Sequence, residues 1–321
     1  PEPRLGPWKA LAIGSLSLLV VVVPLARAPR ADRVPGAPLP AESAADFVGR
    51  EACAECHETE TSAWRGSDHD LAMAEATAET VLGDFDDATF AHDGVESRFF
   101  LRDGKFLVET EGPDGAQVEY AIEYVFGHDP LQQYLIRFPG GRLQALGIAW
   151  DRIGGRWFDL YPDVDIPPGD WLHWTRNAQN WNGMCAECHS TNLQKNSDPE
   201  TDTYATTWSE IDVSCEACHG PGSRHVAWAR MEPMARPEVE RAGLLVSTRA
   251  LSSVEEVELC APCHSRRSEL GDYDHRGVGL LDHMVPSLLI DGLYFPDGQI
   301  LDEVYVYGSF LQSRMYAKGV R

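Results

Sequence analysis

All eight cysteines of the chain sit in Cys-x-x-Cys pairs, and His directly follows every pair. The four motifs are Cys53-Ala-Glu-Cys56-His57, Cys185-Ala-Glu-Cys188-His189, Cys215-Glu-Ala-Cys218-His219 and Cys260-Ala-Pro-Cys263-His264. With 11 His in 321 residues, chance would place His after all four pairs about once in a million. Two pairs could hold a zinc ion, one pair could be a redox dithiol, and exported chains form disulfides. None of these demands the histidine. Cys-x-x-Cys-His is the attachment motif of c-type haem. Two thiols bond to the vinyl groups on one porphyrin edge, and the next residue comes beneath the ring, where its imidazole binds iron. The motifs therefore predict four covalently bound haem c groups. Cys53, Cys56, Cys185, Cys188, Cys215, Cys218, Cys260 and Cys263 are the attachment points, and His57, His189, His219 and His264 are the proximal iron ligands.

Four macrocycles change what the rest of the chain must do. Its loops are long and carry much of its 28 Gly and 21 Pro, which is odd in a domain built on secondary structure alone. It makes sense where large apolar plates fill the core. The expected fold is mostly α and irregular, wrapped around four haems, with a small inserted antiparallel sheet and an N-terminal membrane helix. The sheet signals are local. Asp103-Gly104 between two apolar runs is a two-residue hairpin turn. Val118, Tyr120, Ile122, Tyr124 and Phe126 alternate with other residues at the period of a half-buried strand. Ser252 with Glu255 gives a capping-box start for a helix ending in the fourth motif.

Five segments follow. Residues 1–30 hold the charge-free run from Leu11 to Leu25, read as a signal-anchor or transmembrane segment over residues 8–26. Ala26-Arg27-Ala28 offers a cleaved signal peptide as the alternative. Residues 31–46 are a Pro- and Ala-rich linker. Residues 47–88 form a first haem-binding segment, helical in pieces. Residues 89–165 form the β-rich insertion, and residues 166–321 a three-haem segment. Either reading of the leader puts the remaining chain on the extracytoplasmic side of the inner membrane, in the periplasm, and in the anchor reading the helix is its membrane contact.

Seven histidines remain for the distal iron faces: His69, His92, His128, His173, His225, His275 and His283. Methionine is the other common ligand, but most of the six Met here read as packing. The run Cys-Ala-Glu-Cys-His with Trp64, Ser67 and His69 downstream, and Cys215-Glu-Ala-Cys-His-Gly-Pro-Gly-Ser-Arg-His225, resemble bacterial multihaem c-type cytochromes. These include the tetrahaem cytochromes serving hydroxylamine oxidation and a family often joined to tetratricopeptide repeats. Segments such as 129–135, 140–151, 180–193, 206–223 and 297–316 extend the likeness over residues 47–320, without the repeats. The resemblance implies distal roles for His69 and His225. His173 and His283 are the next choices, with His92 in reserve, and His128 and His275 read as surface residues.

A formal charge of −23 excludes nucleic acid as a partner, because phosphate binding needs clustered positive charge. Acidity instead steers basic redox proteins. With two strong ligands on each iron no substrate site remains. The reading is an electron carrier, not itself an enzyme, serving as a membrane-anchored subunit or partner of a respiratory or photosynthetic complex. Two alternatives stand beside it: a multihaem oxidoreductase acting on a small nitrogen or sulfur compound at an open-faced haem, and a subunit of a cytochrome filament.

Overall fold

The computed structural model describes residues 39, 41, 45–270 and 279–320. The chain enters through two short helices, α1 (Arg50–Ala54) and α2 (Glu58–Trp64). It then builds strands β1 (Met73–Glu75), β2 (Ala88–His92), β3 (Val95–Arg102), β4 (Lys105–Glu111), β5 (Gln117–Phe126), β6 (Leu131–Arg137), β7 (Leu143–Ala145), β8 (Ile148–Asp151) and β9 (Arg156–Asp159). All nine belong to one antiparallel sheet of order β2-β3-β4-β5-β6-β8-β9, with β1 on β5 and β7 on β6. The sheet curls until its ends approach, with His92 at the end of β2 only 4.0 Å from Asp159 of β9.

The hairpin signal is realised. Asp103 and Gly104 both adopt positive φ, 52° and 74°, and Arg102 pairs with Lys105 across the turn. Positive φ at both turn residues matches the right-handed twist of the flanking strands. The alternation read on 118–126 lies in β5.

The expectation of a mostly α protein with a small inserted sheet is overturned. The sheet is the largest element of the described chain, and the helices are one or two turns long apart from α7, described below. The reason shows on β6, where Tyr134, Leu135 and Ile136 are consecutive and all buried. Tyr134 and Ile136 join a cluster containing Phe85, Phe99, Val108, Trp157 and Trp174, in which Phe99 stacks on Trp157 at 3.7 Å. Leu135 points the other way, into a cluster of Met73, Phe126, Leu143, Ala145, Trp181 and Ala186. Both faces of the central strand are covered, so its sequence shows a continuous apolar run and not an alternation. The second cluster is also where the sheet meets the second Cys-x-x-Cys-His motif. The sheet is the wall on which that motif is mounted.

The segment expected to cross a membrane, residues 8–26, lies outside the described residues. Among the described residues no helix is long and apolar enough to cross one.

Candidate haem-binding site

Each motif is carried on a helical turn. Cys53 lies in α1, and the amides of Cys56 and His57 both bond the Cys53 carbonyl, at 3.1 and 2.9 Å. The second motif follows α3 (Trp181–Met184), capped by the Asn180 side chain accepting from the Gly183 amide, and runs through α4 (Ala186–His189). The third is α5 (Cys215–His219), followed by α6 (Ser223–Ala229). The fourth closes α7 (Ser253–His264), whose start is the capping box between Ser252 and Glu255. On a helical turn residues three and four apart share one face. Both thiols and the imidazole of each motif therefore address the same side.

The four turns lie next to one another. The first and third are joined through Glu216, inside the third motif, which accepts the amides of Val48 and Gly49 just before α1. Cys218 feels Cys260 electrostatically. The Cys188 sulfur lies 3.8 Å from the Cys263 carbonyl oxygen. In space the motifs run first, third, fourth, second, unlike their order along the chain.

The imidazoles are set for iron. The His57 and His225 ring centroids lie 6.1 Å apart with the planes tilted by 34°, and those of His69 and His264 lie 6.1 Å apart with the planes at 71°. Metal–imidazole bonds run about 2 Å, and each ring centre lies about 1 Å behind its ligating nitrogen, so two imidazoles sharing one iron need centroids about 6 Å apart. Both pairs meet that requirement, and each joins a motif histidine to one outside the motifs. Three imidazoles are oriented through their other nitrogen. Nδ1 of His189 bonds the Ala72 carbonyl, that of His219 the Val246 carbonyl, and that of His225 the Ala242 carbonyl, each at 3.0 Å. A carbonyl only accepts, so Nδ1 carries the proton and Nε2 keeps its lone pair for a metal. Burial pushes the His189 and His264 pKa values down, which holds both rings in the neutral, ligating form.

The sheet takes part in this. Ala72 immediately precedes β1, so β1 pairing with β5 fixes the carbonyl that orients His189. The edge of β7 holds α3 through polar side chains. The Leu143 amide donates to Asn182 Oδ1 at 2.7 Å, and the Asn180 side chain donates to Gln144 Oε1 at 3.2 Å.

The other sequence candidates fall elsewhere. His173 is buried, with Nδ1 2.8 Å from the Thr175 hydroxyl and Nε2 3.6 Å from Glu111. His92 ends β2, with Nε2 3.2 Å from Asp93. Both line a cavity of about 240 Å³ in the sheet, whose walls include none of the motif residues. His283 ends α8 (Leu280–His283), beside the small cluster that Leu280 and Met284 form with Ala261 of α7. His128 is half-buried between β5 and β6, and His275 lies outside the described residues.

Sequence reading missed three features. The orienting carbonyls of Ala72, Val246 and Ala242 are backbone groups and leave no sequence signal. Glu216, inside the third motif, is buried and accepts the amides of Val48, Gly49 and Gly222 at 2.7–3.1 Å. It ties the N-terminal haem segment to the third motif, and only its departure from the Ala found at that position in the other motifs marks it. The third feature is a buried acidic cluster around Arg50.

Cys-x-x-Cys-His turns in mutual contact, two of them joined to paired imidazoles, are the arrangement expected of a multihaem c-type cytochrome. Comparison with known proteins agrees. The family model described as cytochrome c554 and c-prime matches residues 52–89 and 173–220, which hold the first three motifs and His69. The fold is similar to that of the outer cell wall cytochrome OcwA, with a TM-score of 0.54 and 19% identity. That match covers 81% of this chain and 49% of the other, so this chain spans about half the length of that relative. An undecahaem cytochrome from the S-layer of Carboxydothermus ferrireducens matches at a TM-score of 0.41 and 18% identity, over 78% of this chain and 30% of the other. No curated protein matches significantly.

The expected placement on the inner membrane through an N-terminal helix is withdrawn: among the described residues no helix is long and apolar enough to cross a membrane.

Proposed function

We propose that the chain conducts electrons through four covalently bound haems, one at each Cys-x-x-Cys-His motif, and passes them between redox proteins. The observation that carries the reading is the pair of 6.1 Å imidazole–imidazole spacings. In this reading His225 is the distal ligand of the haem on Cys53, Cys56 and His57, and His69 that of the haem on Cys260, Cys263 and His264. An iron with two imidazoles has no open position for substrate, so it changes oxidation state and little else. The haem c supplies the redox couple. The protein orients the imidazoles and keeps successive motifs in contact. Their order in space, first, third, fourth, second, supports a continuous path with the first and second motifs at its ends. The chain's charge of −23 supports partners with basic docking faces.

Replacement of the distal ligands tests the assignment. His225→Ala should turn the haem of the first motif from low-spin to high-spin, and His69→Ala that of the fourth, each visible by electron paramagnetic resonance. An unchanged spectrum in either variant removes that histidine from the assignment.

A further inference from the structure

The acidic cluster beside the first and third motifs has a composition that ion pairing alone does not explain. Arg50 of α1 meets three carboxylates. Its Nε lies 2.6 Å from Glu210 Oε1, and its Nη1 lies 2.8 Å from Asp212 Oδ2 and 3.4 Å from Asp70 Oδ1. The guanidinium also stacks over Trp64 of α2, 4.7 Å from the ring centre. Asp70 retains access to solvent and accepts from the Gly66 amide. Asp212 does not, because its side chain is only 6% exposed. Asp212 Oδ1 and Glu210 Oε2 are both buried and have no hydrogen-bond partner. One guanidinium thus faces three carboxylates, and two buried oxygens remain unsatisfied. A buried, unpartnered carboxylate oxygen costs less in the protonated form than in the ionised one. Metal binding is not the alternative use, since Arg50 occupies the centre and no described group of ligands is arranged for a cation.

We infer that Asp212 is a proton-binding site coupled to haem reduction, so that this cytochrome takes up a proton as it takes up an electron. The inference rests on the electron-transfer reading above. Asp212 lies three residues before Cys215 and Arg50 three residues before Cys53. Glu210 also accepts the Arg50 backbone amide, at 3.2 Å. The haems attached at Cys53 and Cys215 share the cluster's field. Reduction converts Fe(III) to Fe(II) and removes one positive charge. The electron comes from the redox donor and the proton from water, and the carboxylate becomes a carboxylic acid. The charge of the site is then the same before and after.

The groups facing Asp212 are Arg50 from α1, Asp70 from the loop after α2, and Glu210 on its own segment. Burial pushes its pKa up from the ordinary value to about 6, Arg50 pulls it down, and Glu210 and Asp70 push it up. A lost positive charge on a neighbouring iron pushes it further up. The sign follows. Below the oxidised-state pKa the acid is protonated in both redox states and the potential is flat. Between the oxidised- and reduced-state pKa values, each unit of pH makes reduction up to tenfold harder, about 59 mV for one electron. Above both values the potential is flat again.

Spectroelectrochemical titration of the haem-loaded protein from about pH 5 to pH 8 reads this directly. One haem should show the falling segment, and Asp212→Asn should flatten it. Glu210→Gln should keep the segment but move it to lower pH, because a neighbouring negative charge is gone. Reduced-minus-oxidised infrared spectra should show a carboxylic acid carbonyl band that Asp212→Asn removes and Asp212→Glu restores. Flat potentials in the parent protein, or a pH dependence and band that survive in Asp212→Asn, would overturn the inference. If Asp212→Asn fails to load haem, the shift in Glu210→Gln decides instead, and no shift there also overturns it. A protein without haem would instead defeat the electron-transfer reading, so the two failures are distinguishable.

Discussion

At the scale of single residues, buried acids divide the labour in this molecule. Glu216 is satisfied, accepting three backbone amides from two separate segments. Hydrogen bonds to a charged group contribute about 1.5–3 kcal/mol each, and stranded donors add their own cost. Glu216→Ala should therefore destabilise the protein by roughly 3 kcal/mol or more, read as a lower urea midpoint. It should loosen the N-terminal haem segment first, read as loss of protection from amide exchange around Val48 and Gly49. An unchanged midpoint would mean the three amides find water instead. Asp212 is the opposite case, buried and incompletely paired. Neither role is written in the sequence. Glu210, Asp212 and Glu216 read as three acids among 50, and only the fold brings Arg50 and Val48 to them. The attachment residues proposed here, by contrast, stand out in the sequence, because haem chemistry fixes the spacing of two thiols and one imidazole within five residues.

At the scale of elements, legibility followed how local the cause is. The Asp103-Gly104 turn needs only two residues able to take positive φ. The capping box on α7 needs only Ser252 and Glu255, with the Glu255 amide donating to Ser252 Oγ at 3.3 Å and the Ser252 amide to Glu255 at 2.7 Å. Ser252→Ala should cost about 1 kcal/mol, seen as a fall in melting temperature with the haem content unchanged. A larger fall accompanied by haem loss would show that α7 is held by its cap alone and not by its packing on Leu280 and Met284. The extent of the sheet was not legible for the converse reason. Strands β7, β8 and β9 have only three or four residues each, and β6 is buried on both faces. Neither leaves a period of two to read. What completes them is pairing between distant segments and the packing of Trp181 and Ala186 against the far face.

At the scale of the molecule, sheet and motifs form one device. The nine strands present Ala72, Gln144 and Leu143 to the second motif, while long connections bring α1, α5, α7 and α4 together in the order first, third, fourth, second. The chain of contacts, and not the chain of residues, sets the route proposed for an electron. That route exists only if every motif carries its haem. Intact mass spectrometry of the denatured, solvent-extracted protein measures this most directly. The account predicts the polypeptide mass plus four covalently retained haems, one for each motif. Fewer than four, or a bare polypeptide, would contradict it.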